Sequence, residues 1–278
     1  MIPPIARRFV AGESADGALE RATARNDEGL AVILNQLGEH YDDPAAAAAD
    51  RDDYRQLLRD MAAVDLDGCI SVKPTQLGLN LGTGVFREHL ASILEVADDL
   101  DRFVWLDMED HQTTDATLDA YEAYATSYDG MLGVCLQANL RRTPDDLARL
   151  ADLPGKLRLV KGAYDEPVEI AYPDKAAVDR AYRDLLRQAF EQCEDGIAVA
   201  SHDDAMLDLA ASLHDQQGTP YEVQMLMGVR EDYQRELAAD REVYQYIPYG
   251  DKWLSYFYRR LLERKENLLF GLRAVLRG

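Results

Sequence analysis

Near the end of the chain, the stretch YIPYGDKWLSYFYRRLLERKEN (residues 246–267) sets Arg259, Arg260 and Glu263 on one predicted helix. Positions four apart on a helix stack into rows, so Trp253, Phe257 and Leu261 form one apolar row and Leu254, Tyr258 and Leu262 another. The rows Ser255–Arg259–Glu263 and Tyr256–Arg260–Arg264 are the polar side. The plainest account is a solvated face with one ion pair, yet the acid follows the base, which is the weaker order for a helical pair. A second polar set closes short apolar runs along the chain: Lys73, Asp107 with Glu109, Gln137, Arg158 with Lys161, Ser201 with His202, Gln224 and Tyr246. Singly, each has a structural role open to it: Lys73 as a snorkelling lysine, Asp107 as a helix cap, His202 as a satisfied structural histidine. Jointly they admit two chemistries. Asp107, Glu109, His111 and His202 suggest a metal-dependent hydrolase, against which stands the lack of a closely spaced histidine pair. Arg158, Lys161 and Gly162 suggest a site for a phosphate or an electron-rich ring, and this reading accounts for more of the residues.

The elements that must position these groups alternate. Eight β-rich runs lie at 29–39, 68–75, 102–110, 131–139, 156–164, 196–203, 221–228 and 243–250. Stretches of helical spacing separate them, several opened by Ser, Thr or Asp. Eight βα units in roughly 250 residues predict a TIM-type (βα)8 barrel, in which functional groups gather at the carboxyl ends of the strands. A doubly wound open sheet is the rival, but no GxGxxG turn follows the first strand. The first 28 residues read as a leading helical segment, and the whole chain, 1–278, as a single domain.

Composition narrows the partners. Fifty-one acidic residues against 30 basic ones give a net charge of −21, which repels phosphate backbones and excludes nucleic-acid binding. Asp (33) far exceeds Glu (18), and only six of the basic residues are Lys. With alanine runs such as PAAAAAD this resembles the proteins of salt-loving organisms, whose dense carboxylates hold water and cations where salt screens their repulsion. Cys69, Cys135 and Cys193 are odd in number and show no CxxC spacing, so neither zinc nor disulfides are expected. No run reaches the length of a membrane span and no signal peptide is evident, so the chain is expected to be cytoplasmic, a peripheral membrane contact remaining compatible.

In register, SVKPTQLGL, WLDMEDH, GVCLQANLRRT, LRLVKGAY, ASHD, YEVQMLMGV, YIPYG and RRLLERKEN resemble the proline dehydrogenase family, nearest its small monofunctional bacterial and archaeal members. The resemblance implies a distorted (βα)8 barrel whose final helix lies over the mouth, binding FAD non-covalently. It implies oxidation of L-proline to Δ1-pyrroline-5-carboxylate, with electrons passed to a quinone and the product open to a pyrroline-5-carboxylate dehydrogenase. Carried over by residue, it places the substrate carboxylate on Arg259 and Arg260 with Glu263 as partner acid. Lys73, Leu159, Tyr164 and Tyr246 line the substrate, Lys73, Asp107 and Arg158 serve the chemistry, and Met108, Gln137, Arg158, Lys161, Gly162, Ala163, Ser201 and His202 hold the flavin. Pro74 and Ser201 depart from the family pattern, where an apolar residue and a threonine are commoner. The rival within flavin-binding barrels is a methylenetetrahydrofolate reductase-like enzyme, which has no need of the arginine pair.

Overall fold

The computed structural model describes residues 2–3, 6–254, 256 and 257. Each of the eight apolar runs contains one strand: β1 (Ala31–Gln36), β2 (Gly68–Val72), β3 (Val104–Leu106), β4 (Leu132–Gln137), β5 (Lys156–Val160), β6 (Ile197–Ala200), β7 (Tyr221–Leu226) and β8 (Val243–Tyr249). All neighbours are parallel, and β8 pairs with β1 from Ala31↔Tyr244 to Gln36↔Tyr249, which closes the barrel in chain order. The helices are α1 (Ala15–Asn26), α2 (Pro44–Ala63), α3 (Thr83–Asp99), α4 (Thr114–Ala125), α5 (Thr143–Leu150), α6 (Lys175–Gln192), α7 (Asp204–Gln217) and α8 (Glu231–Ala238). The leading segment is helical as expected, with a single 3-10 turn at Ala6–Arg8 before α1. Carboxylates start three of the helices: Asp43 caps α2 just ahead of Pro44, Asp174 caps α6 and Asp203 caps α7. Each satisfies a backbone N–H that the first helical turn leaves without a partner.

Side chains alternate along a strand, and here the two directions have different destinations. Val32, Leu34, Ile70, Val72, Val104, Leu106, Val134, Leu157, Leu159, Val199, Val223 and Ile247 join the large cluster shared with the helices. The other parity fills the barrel, where Ile33, Cys69, Trp105 and Ala198 pack with Phe103, Tyr244 and Tyr246. Helix α2 is tied to this wall by Tyr54, fully buried, whose hydroxyl donates to the carbonyl of Ser71 at 2.9 Å and accepts from the N–H of Gln36 at 3.1 Å.

At the amino-terminal end of the interior, Lys156 reaches Glu222 at 2.5 Å, and Gln224 donates to the same carboxylate at 2.6 Å. Burial raises the pKa of Glu222, with Lys156 acting in the opposite direction. Breaking a buried pair is costlier than never having it, because the survivor stays desolvated. Lys156→Met is therefore expected to lower unfolding stability by roughly 3 kcal/mol, and Lys156→Met with Glu222→Leu to recover most of that. A carboxyl raised by burial is best accommodated protonated, so the single variant's deficit should shrink as the pH falls toward the ordinary carboxylate range. Denaturant titrations at fixed salt decide it, and a double variant as unstable as the single one would contradict the assignment.

Candidate functional site

Asp107 follows β3 and collects partners from three other strands. Its Oδ1 accepts from the Ser71 hydroxyl of β2 at 2.6 Å and from Arg158 Nη1 of β5 at 2.6 Å, and its Oδ2 accepts from the Tyr246 hydroxyl of β8 at 2.7 Å. Arg158 is 3% exposed. Burial works against the guanidinium's charge, and the Asp107 carboxylate together with smaller contributions from Cys135, Tyr246 and Cys69 leaves the group raised. Burial, and then the same carboxylate, push Tyr246 well above the usual phenol range. The phenol is a neutral donor across the working pH range. Arg158 lies over the Trp105 ring with Cζ 4.3 Å from its centroid. Among its donors, Nε and Nη2 have no hydrogen-bond partner.

A second layer sits above this one. Glu109, fully buried, accepts from the Thr75 N–H at 2.8 Å and the Thr75 hydroxyl at 2.6 Å, joining the tips of β2 and β3. Burial raises its pKa while the Thr75 bonds oppose the shift. Gln137 donates to the Glu109 carbonyl at 2.5 Å, and its own Oε1 lacks a donor. Lys73 is 9% exposed, with the Gly38 carbonyl and the Glu39 carboxylate both 3.5 Å from Nζ. Lys161 bonds Asp179 at 2.6 Å and Asp203 at 2.7 Å; burial disfavours its charge, but the two carboxylates leave it raised. Asp203 thus caps α7 and anchors Lys161 together. Gly162 has φ +106°, and a Cβ there would stand 2.1 Å from Oδ1 of Asn139, so this close approach requires glycine. That Asn139 oxygen also lacks a donor.

The predicted site residues therefore divide. Lys73, Asp107, Gln137, Arg158 and Tyr246 converge on the mouth and the layer beneath it. Ser201 is buried, its hydroxyl accepting from the Asp203 N–H at 3.1 Å. His202 accepts through Nε2 from the Leu226 N–H at 3.1 Å, which places the proton of a neutral ring on Nδ1 and links β6 to β7. Met108 is buried beside β3, Tyr164 is half-buried and Gly162 and Ala163 are exposed on the loop after β5. Gln224 turns to Glu222 deep in the barrel. Leu159 alternates with inward-facing Arg158 and is fully buried in the helix-side cluster. Arg259, Arg260 and Glu263 lie outside the described residues, as does everything beyond Phe257.

The metal constellation does not assemble. Asp107 and Glu109 are engaged as above, and His111 Nδ1 meets Glu166 at 2.5 Å on the far loop. Among the described residues, the group of potential ligands within 4.8 Å of one another is Glu39, His40 and Glu109, a different set. Ser71, Trp105 and Thr75 were not singled out in the sequence. Ser71 and Trp105 stand two residues before Lys73 and Asp107, and that period of two was the available signal.

A family model described as proline dehydrogenase matches residues 18–271. Proline dehydrogenase 1 of Bacillus subtilis subsp. natto is 36% identical over 280 residues, 98% of this chain and 91% of the relative. Proline dehydrogenase of Deinococcus radiodurans is 36% identical over 284 residues, 99% and 91% respectively. Among solved structures, proline utilization A from Bdellovibrio bacteriovorus, inactivated by N-propargylglycine, superposes with a TM-score of 0.86 at 24% identity over 93% of this chain. The chain spans 32% of that protein, and at this identity the likeness is one of fold.

Replacing Asp107 by Asn keeps its volume and an acceptor while leaving Arg158 buried without its counter-charge. The expected cost is about 3 kcal/mol of unfolding free energy, read from denaturant midpoints at constant salt; an unchanged midpoint would show that the pair does not hold the barrel mouth.

Proposed function

Since the chain belongs to the proline dehydrogenase family, we propose that its barrel mouth holds FAD and L-proline together, with the Asp107–Arg158–Tyr246 network as its floor. The chain is an oxidoreductase of proline oxidation, the first step of proline catabolism. The observation that carries the finer reading is Arg158, a fully charged, buried guanidinium with two donors left without acceptors. Buried donors of this kind are costly unless a ligand completes them. The open oxygens of Gln137 and Asn139 and the close approach at Gly162 fit a polar, ring-bearing group beside the same strands. FAD suits that set, with Met108, Gln137, Arg158, Lys161, Gly162, Ala163, Ser201 and His202 as its surroundings.

Held by these residues, FAD would supply two-electron acceptance for the hydride that L-proline loses from C5 on its way to Δ1-pyrroline-5-carboxylate, with a quinone as the onward acceptor. The chain's part is electrostatic and positional. Arg158 supplies positive charge where electron density arrives, and Asp107, itself held by Tyr246, anchors the guanidinium at Nη1. Lys73, an ammonium held at 3.5 Å from both of its described partners, favours an unprotonated substrate amine, whose adjacent C–H hydride departs more readily. Arg259 and Arg260 clamp the substrate carboxylate, guanidinium donors matching its two oxygens, with Glu263 holding the pair in place. Lys161 has two of its three donors taken by Asp179 and Asp203, so it fixes the loop as much as it meets the cofactor.

The acidic surface and the strand-end set support a salt-adapted enzyme acting as a single barrel domain at the cytoplasmic side of a membrane that supplies the quinone. Among the described residues no helix is long and apolar enough to cross a membrane. The product is an electrophilic imine that a dehydrogenase partner would consume.

Purified in concentrated salt, the protein should be yellow, bleach on anaerobic addition of L-proline and regain colour with a quinone analogue. A colourless protein with stoichiometric metal would end this reading. In the same assay Arg259→Met should weaken proline binding about tenfold to a hundredfold with flavin retained; equal loss of both would show the clamp to be misassigned.

A further inference from the structure

Arg158 is anchored at one atom only, Nη1 on Asp107 at 2.6 Å, while its Nε and Nη2 have no hydrogen-bond partner. A planar group held at one end can swing about that end, so something else must set its plane. Trp105 lies under it at 4.3 Å from Cζ to ring centroid, inside stacking range, whereas the Tyr246 ring at 5.9 Å is at the limit of it. The indole is itself built into place. Phe103 packs on it at 4.9 Å with a 56° tilt, and Ile33, Cys69 and Ala198 fill the rest of its layer. Across the β3–β4 pair, Trp105 is in register with Gly133, where a Cβ would stand 2.5 Å from Cζ3 and 2.6 Å from Cε3 of the ring. The facing strand therefore gives up a side chain to admit this indole.

We propose that Trp105 is a positioning residue for the reaction: with Asp107 it fixes the plane of the Arg158 guanidinium, so that the edge carrying Nε and Nη2 is the one offered to the flavin. This rests on the flavin reading above. A space-filling tryptophan could be exchanged for another apolar residue at a cost in stability alone; a positioning one sets the electron affinity of the bound cofactor as well. An aromatic face, not volume, is the property required, because the attraction is between the cation and the ring's electrons.

The test uses the full flavin-loaded chain in concentrated salt and reads two quantities, the midpoint potential and the rate of flavin reduction by L-proline. Trp105→Leu should lower the potential by about 30 mV, a tenfold change in a two-electron equilibrium, and slow reduction about tenfold, with KM for proline nearly unchanged. Trp105→Phe keeps a ring and should lose no more than about threefold. Gly133→Ala, which displaces the indole without removing it, should shift the potential in the same direction, and together with Trp105→Phe it keeps the proposal open to refutation if the leucine variant does not fold. Unchanged potentials in Trp105→Leu and Gly133→Ala, or equal deficits in Leu and Phe tracking thermal stability alone, would overturn it. Arg158→Gln separates the two readings. An unchanged potential in that variant defeats the flavin placement itself, while a lowered one beside a wild-type potential in Trp105→Leu defeats only the role of the indole.

Discussion

One carboxylate, that of Asp107, sets the geometry on which the rest of the site depends. It is reached from β2, β5 and β8 at once, by a hydroxyl, a guanidinium and a phenol, at 2.6, 2.6 and 2.7 Å. A barrel interior filled only by aliphatic layers would be as stable or more so, since desolvating two charges costs about what their attraction returns. The pair contributes direction instead. It gives the interior a polar floor, turns Tyr246 inward and leaves the unused edge of Arg158 as the feature a ligand completes. Below that floor Trp105, Phe103 and the Lys156–Glu222 pair fill the interior toward the amino-terminal end, and the functional groups of such barrels gather at the strand tips.

Charge is distributed to the same end. The chain carries −21 overall, yet Lys73, Arg158 and Lys161 all lie at or beneath the strand tips. Outside, arginines fork between paired acids, as Arg149 does with Asp119 and Glu122, and Arg142 with Asp115 and Asp146. Exposed pairs of this kind contribute little each and weaken with salt. They spread a large negative charge over the helices while Lys73, Arg158 and Lys161 stand at or beneath the strand tips.

Much of this was legible in the chain. All eight apolar runs hold a strand, because short β-rich runs bounded by turns and separated by helical spacing admit few other folds. Strand tips were legible too, since polar residues ending apolar runs have few reasons to be there. What was not legible depended on partners far along the chain. His202 reads as a metal-ligand candidate or a flavin contact, and only the fold shows that the N–H of Leu226, 24 residues on, meets its Nε2. Lys161 reads as an unengaged cation until Asp179 and Asp203 close on it. Leu159 was carried over from a motif in which Arg158 is its neighbour, and a single residue of pleat separates the inside of a barrel from the outside. Trp105 passed as an ordinary strand residue because its meaning lies in Gly133 opposite and Arg158 beside it. The arginine pair of the last helix, conspicuous in the sequence, lies outside the described residues and stands on the resemblance and the family.

The central claim is that Arg158 is fixed at Nη1 so that its remaining donors meet the cofactor. A crystal structure of the flavin-bound chain with an unreactive carboxylate analogue of proline measures this directly. The account predicts Nη1 still on Asp107 and either Nε or Nη2 within about 3.2 Å of a flavin ring atom. Nε and Nη2 both facing water or the analogue's carboxylate, with the flavin bound elsewhere, would contradict it.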